Sequence, residues 1–154
     1  MSFELTPTEA DALGRVIDEA RRLYTPGGGP VFTAAIVRND RIVMLARNEV
    51  GDERDPSRHA EIVAIARACR TLGTKDLSGA SLIASMQPCE MCLAAMRWAG
   101  IDRLAFAMTQ EAAPDFFQFP GLGIADYARA SGDAFIWTGG LRQDDVAHIY
   151  RGET

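Results

Sequence analysis

From residue 80 onward the chain alternates strand-like and helix-like runs, and that order leaves few ways to fold. "ASLIASM" reads as a strand, "CEMCLAAMRWAG" as a short helix and "DRLAFAM" as a further strand. "GIADYARASG", "DAFIWTG" and "LRQDDVAHIYR" continue as helix, strand and helix. Parallel strands need crossovers of about a dozen residues or more, and such helices supply them. The first half differs: "VFTAAIVRNDRIVMLARNEV" reads as two strands joined by a turn at Asn39-Asp40, an antiparallel hairpin. A sheet with both kinds of pairing is mixed. The expectation is α/β, a three-layer α/β/α sandwich around a mixed sheet of about five strands.

Two helices precede that alternation. In "TPTEADALGRVIDEARRLY", Thr6 is a candidate N-cap, Pro7 takes the first helical position and Glu9 completes a capping box. Leu13, Val16, Ile17, Ala20, Leu23 and Tyr24 follow the helical stripe, and "TPGGGP" breaks it. After the acidic loop "GDERD", Asp55-Pro56 offers a second cap and first-turn proline, which predicts a helix through "SRHAEIVAIARACRTLG" to Gly73. With 154 residues, 47% of them hydrophobic, there is material for one core, and residues 1–154 read as a single domain.

No apolar run approaches the roughly 20 residues that span a bilayer. The start, "MSFELTPTEADALGRV", lacks the basic and apolar blocks of a signal peptide, and three cysteines are too few for a disulfide scaffold. The reading is cytoplasmic, with no membrane partner. The net charge is −5, with Arg and Lys scattered among acids, which argues against a large nucleic acid partner.

In "QPCEMC", Cys89 and Cys92 stand three apart after Pro88. Alone, such a pair serves a redox couple, half a structural zinc site or a catalytic metal. Thirty residues upstream, "HAE" adds His59, and one imidazole with two thiolates suits a borderline-soft ion such as zinc. Three protein ligands leave one tetrahedral position open. His148 and Cys69 lack ligand-like spacing; the first reads as a surface or satisfied residue, the second as a small buried hydrophobe. Both motifs stand where a helix begins, so free N–H groups and the dipole favour thiolates there. Zinc brings the pKa of a water to roughly 7, and Glu61 is the candidate to carry its protons. Residues two apart face apart on a regular helix, so Glu61 reaches that water only at the helix end. Glu90, between the cysteines, reads as a solvated first-turn acid.

Together "HAE" and "PCEMC" match the signature H-x-E…P-C-x-x-C, and the chain resembles the zinc-dependent cytidine and nucleobase deaminases. "GGGPVFTAAIV", "ARNEV" and "PCEMCLAAMRWAGIDRL" look most like bacterial guanine deaminases. The resemblance implies a cytidine deaminase-like fold and hydrolytic deamination of a free nucleobase or related aminated heterocycle, guanine favoured, with water as co-substrate. Its alternatives are a transfer RNA adenosine deaminase and a cytosine deaminase. It also implies one zinc per chain on His59, Cys89 and Cys92, Glu61 as proton carrier, and a homodimer. For the base it implies contacts from Asn48, the Ala60 backbone N–H and the aromatic residues Phe32 and Trp98, and an acidic group for which "TQEAAPDFFQFPG" offers Glu111 and Asp115. Where relatives read "PFGA" this chain has Val31-Phe32-Thr33-Ala34, so a pocket-floor glycine becomes Thr33. "TQEAAPDFFQFPG" falls in the region that selects the substrate, and its phenylalanines read as a lid or a core segment.

Overall fold

The computed structural model describes residues 2–151. Thr6 accepts from the Glu9 N–H while the Glu9 carboxylate accepts from the Thr6 N–H, and this capping box starts α1 (Pro7–Leu23). The hairpin follows as β1 (Thr33–Arg38) and β2 (Arg41–Arg47). Asn39 and Asp40 both take positive φ, 51° and 61°, the conformation a two-residue hairpin turn requires. The chain then runs through α2 (Val50–Glu53), α3 (Ala60–Leu72), β3 (Ser81–Met86), α4 (Glu90–Trp98) and β4 (Arg103–Met108). It ends with α5 (Ile124–Ala130), β5 (Ile136–Thr138) and α6 (Ala147–Arg151).

The five strands form one sheet in the order β2-β1-β3-β4-β5. β1 is antiparallel to β2 and β3, while β3, β4 and β5 are parallel, so the sheet is mixed as expected. Strand residues divide by the period of two. Ala34, Ile36, Leu82, Leu104 and Phe106 face α3, α4 and α5, whereas Ala35, Val37, Ile83 and Ala105 face α1 and α6. Two apolar layers thus clamp the sheet. Among the described residues no helix is long and apolar enough to cross a membrane.

Local differences from the sequence expectation have physical causes. The helix expected from Asp55-Pro56 begins at Ala60 instead. Asp55 spends its carboxylate on the Ser57 N–H and hydroxyl at 2.9 and 2.6 Å, a local turn that competes with helix initiation. "GDERD", expected as a loop, contributes to the short α2, which Arg54 closes in the left-handed region. The last helix is shorter, with a 3-10 turn at Gln143–Asp145 before α6.

Glu9 ties α1 to the sheet. Its buried carboxylate accepts from Arg103 Nε and Nη2 at 2.7 and 2.8 Å and from the Ser81 hydroxyl. Burial alone would raise its pKa, yet the bonds from Arg103, Ser81 and the Thr6 N–H hold it down to about 2, from 4.5. A depressed carboxylate stabilises the fold fully above about pH 4.5 and loses that contribution as pH falls through about 2, on the order of 3 kcal/mol. Urea unfolding from pH 6 to pH 3 is expected to show stability falling more steeply for the wild type than for Glu9→Gln. Parallel profiles would contradict this.

Candidate active site

The chemistry-bearing side chains gather beyond the carboxyl end of β3, where α3 and α4 both begin. In an open α/β sheet this is where helix N-termini converge and ligands bind. His59 is the N-cap of α3 with extended backbone (φ −63°, ψ 156°), and Glu61 is the second helical residue. The two are therefore not on one regular helix, and the change of backbone at His59 brings both side chains to the same cavity. Cys89 caps α4 in the same extended conformation, and Cys92 follows in the first turn.

These caps bring the three donors together. His59 Nδ1 stands 3.5 Å from Cys89 Sγ and 3.7 Å from Cys92 Sγ, and the sulfurs are 3.7 Å apart. Tetrahedral zinc with Zn–S of about 2.3 Å and Zn–N of about 2.05 Å needs sulfurs about 3.8 Å apart and nitrogen about 3.6 Å from sulfur. The donor set fits zinc in type and spacing, and the group is one imidazole with two thiols, open on its fourth side. Contact with Cys92, then His59, pulls the Cys89 thiol down to about 4, while the same contact and burial push Cys92 up. His59 is raised, first by its contact with Cys89.

Glu61 is 6% exposed. Burial raises its pKa from 4.5 to about 7, against the lowering effect of the nearby Cys92. A carboxyl group balanced there can both take and give a proton near neutral pH.

A cavity of about 310 Å³ opens over the donors. Phe32, Asn48, His59, Glu61 and Cys89 line it together with Asp115 through Gln118. The Asn48 N–H bonds to the Phe32 carbonyl, and the Glu49 N–H to the Arg58 carbonyl beside His59. The Glu49 carboxylate also pairs with Arg67 at 2.6 Å and Arg58 at 3.4 Å, which holds the Asn48 loop to α3. Asn48 Oδ1 accepts from the Val50 N–H at 2.9 Å, so its NH2 group is the part left for a ligand.

Of the residues expected at the base, Phe32, Asn48 and Asp115 line the cavity. Ala60 does not line it, but as first residue of α3 it has an N–H that the helical ladder leaves free. Trp98 lies apart from the donors. It is 90% exposed at the far end of α4, about 12 Å of helix from Glu90, and lines no wall of the cavity. Thr33, which stands where relatives have glycine, lies outside the cavity lining: its N–H bonds to Ser85 Oγ and its hydroxyl to the Val16 carbonyl, so it joins α1 to the sheet. Cys69 is half-buried on α3, and the His148 ring meets Tyr24 edge-on at 5.2 Å, both apart from the donors.

Other residues gave less signal in sequence. Gln87 and Gln110 bond reciprocally, amide to amide and amide to backbone, at 3.1 Å. Tyr150, from α6, donates to the Val31 carbonyl at 2.6 Å, meets Ser85 Oγ at 2.7 Å, and stacks near Phe32 and Phe116. Of the three phenylalanines, Phe116 and Phe117 are cavity wall, with Phe117 buried, and Phe119 is exposed. Of these, only the phenylalanines were marked in the sequence, as a lid or a core segment.

A family model for the cytidine and deoxycytidylate deaminase zinc-binding region matches residues 7–108. A transfer RNA-specific adenosine deaminase of Aquifex aeolicus is 40% identical over 89 residues, 58% of this chain and 58% of that protein. The guanine deaminase of Bacillus subtilis is 44% identical over 72 residues, 47% of this chain and 46% of that protein. The chain thus spans roughly half the length of these curated relatives. The solved guanine deaminase from Nitrosomonas europaea superposes with a TM-score of 0.77 and 25% identity, covering 97% of this chain and 85% of that one.

Proposed function

We propose that this chain, which belongs to the cytidine and deoxycytidylate deaminase family, hydrolyses the exocyclic amine of a free nucleobase, guanine favoured, and releases ammonia. The observation that carries this reading is a buried carboxylate, Glu61, beside three metal donors on the wall of a cavity of about 310 Å³. That volume is at the low end of small-molecule pockets, about 300–1,000 Å³, and suits one flat base.

His59, Cys89 and Cys92 would hold the zinc. When bound, zinc supplies Lewis acidity that makes a water nucleophilic near neutral pH. Glu61 takes the proton that water gives up and delivers it to the ring nitrogen beside the amine-bearing carbon. A second proton moves through the same carboxylate to the exocyclic nitrogen. Ammonia leaves, and the ring carbon keeps the water's oxygen as a carbonyl. Asn48 donates its NH2 to an acceptor on the base, Asp115 accepts from a ring or amine N–H, and Phe32 and Phe116 confine the ring and exclude water.

The similarity to two guanine deaminases and the net charge of −5 support guanine. Ammonia release from guanine, adenine, cytosine and isocytosine by zinc-loaded protein tests this. Guanine is expected to turn over at least about tenfold faster than the others. Faster release from cytosine or adenine would overturn the guanine assignment. The 40% identity to the Aquifex protein favours a second reading, adenosine within transfer RNA, which predicts no turnover of any free base.

A homodimer, expected from the resemblance, is part of the same proposal, and the exposure of Trp98 supports it. A tryptophan 90% exposed on α4 leaves a large apolar surface that a second copy would cover. Sedimentation is expected to find a dimer in the wild type and a shift toward monomer in Trp98→Asp. A dimer equally stable in both would remove Trp98 from the interface.

A further inference from the structure

We infer that Glu90, between the two cysteines, is a positioning residue: its carboxylate is the clasp that fixes the substrate-facing wall at Asp115–Gln118. Glu90 Oε1 accepts from the Gln118 N–H at 2.7 Å. Apart from the local turn in which the Leu122 N–H bonds to the Phe119 carbonyl at 3.1 Å, no other hydrogen bond among the described residues ties residues 114–121 to the rest of the protein. The wall segment is otherwise anchored at its base. Gln110 pairs with Gln87 and donates to the Leu122 carbonyl at 3.0 Å, which closes the loop's two ends. Its tip is held by Glu90, by Phe116 edge-on to Phe32 at 5.5 Å, and by buried Phe117.

The second carboxylate oxygen separates this role from a solvated first-turn acid, the role the sequence predicts. Glu90 Oε2 is buried without a hydrogen-bond partner. An acid placed only to face the helix dipole would keep both oxygens in water, because burying an unpaired acceptor costs free energy. The carboxylate is drawn inward at that cost, and the bond to Gln118 is what it gains. Glu90 is also the first residue of α4, flanked by Cys89 and Cys92. The turn that sets the two sulfurs therefore also holds Gln118, in the wall segment that lines the same cavity as His59 and Cys89.

The test compares Glu90→Ala, which removes the acceptor, with Glu90→Gln, which keeps an oxygen there. Alanine suits the first turn of a helix, so α4 is expected to remain. In Glu90→Ala, amide hydrogen exchange across residues 114–121 is expected to speed up about tenfold or more, with β3 and β4 unchanged and zinc content unaltered. KM for guanine is expected to rise about tenfold to a hundredfold with kcat within about threefold. Glu90→Gln is expected to restore both readouts to within about threefold. Unchanged exchange in Glu90→Ala would overturn the clasp. So would a Glu90→Gln variant that behaves like alanine, since a charge effect on the thiolates would then explain the result. Only the kinetic arm rests on guanine as substrate. Faster exchange with no turnover of guanine would uphold the clasp and sink the substrate assignment.

Discussion

Glu61→Gln, loaded with one zinc per chain, is expected to lose about a thousandfold or more of the deamination rate while keeping KM within a few-fold. Glutamine matches the size of the side chain and can still hydrogen-bond, but it cannot take a proton from water and pass it to the ring. Stability is expected to move the other way. Glu61 is 6% exposed, and burial is the leading cause that lifts its pKa to about 7. A neutral amide escapes the cost of burying that charge, so thermal unfolding should occur at the same or a higher temperature. Catalytic groups often trade stability for activity in this way. Retained activity in zinc-loaded Glu61→Gln would assign the proton transfers to another group.

Cys92→Ser is expected to strip the metal. A hydroxyl replaces a thiolate in a group whose donors already stand at tetrahedral zinc spacing, 3.7 Å from the partner sulfur and 3.7 Å from His59 Nδ1. Zinc affinity should fall by about a hundredfold or more, beyond what losing a supporting contact would cost. Elemental analysis after dialysis should find near one zinc per chain in the wild type and little in the variant. Zinc should raise the unfolding temperature of the wild type only, since a ligand that binds the folded state stabilises it by mass action. Cys69→Ser, half-buried on α3 away from the donors, is expected to keep its zinc. Equal zinc in wild type and Cys92→Ser would exclude that sulfur as a ligand.

What was legible in the chain was what local chemistry dictates. Thr6 and Glu9 cap each other because both partners lie within one turn, and Asn39-Asp40 turns because two residues reach positive φ. The metal donors were legible for a similar reason, since each of the two motifs sits in a short stretch at one helix start. The rest of the cavity wall was not. Asp115–Gln118 face the site only because Gln110, Gln87 and Glu90 hold that loop across the sheet end, pairings between residues up to 28 positions apart. Tyr150 shows the same limit: its hydroxyl meets Ser85, 65 residues away, and only the folded sheet makes them neighbours. Trp98, expected near the base from the resemblance, is carried by α4 to an exposed position outside this chain's own cavity. The α3 start misled because Asp55 had a closer partner in Ser57 than any helical N–H.

Zinc-loaded wild-type protein given guanine and an anticodon stem-loop containing adenosine together, at 50 and 200 mM salt, tests the central assignment most directly. The expected result is ammonia and xanthine from guanine, at rates that differ little between the two salt conditions, with the stem-loop unchanged. Inosine in the stem-loop, formed at a rate that falls steeply with salt while guanine is untouched, would contradict it, because only a phosphate backbone brings that salt dependence.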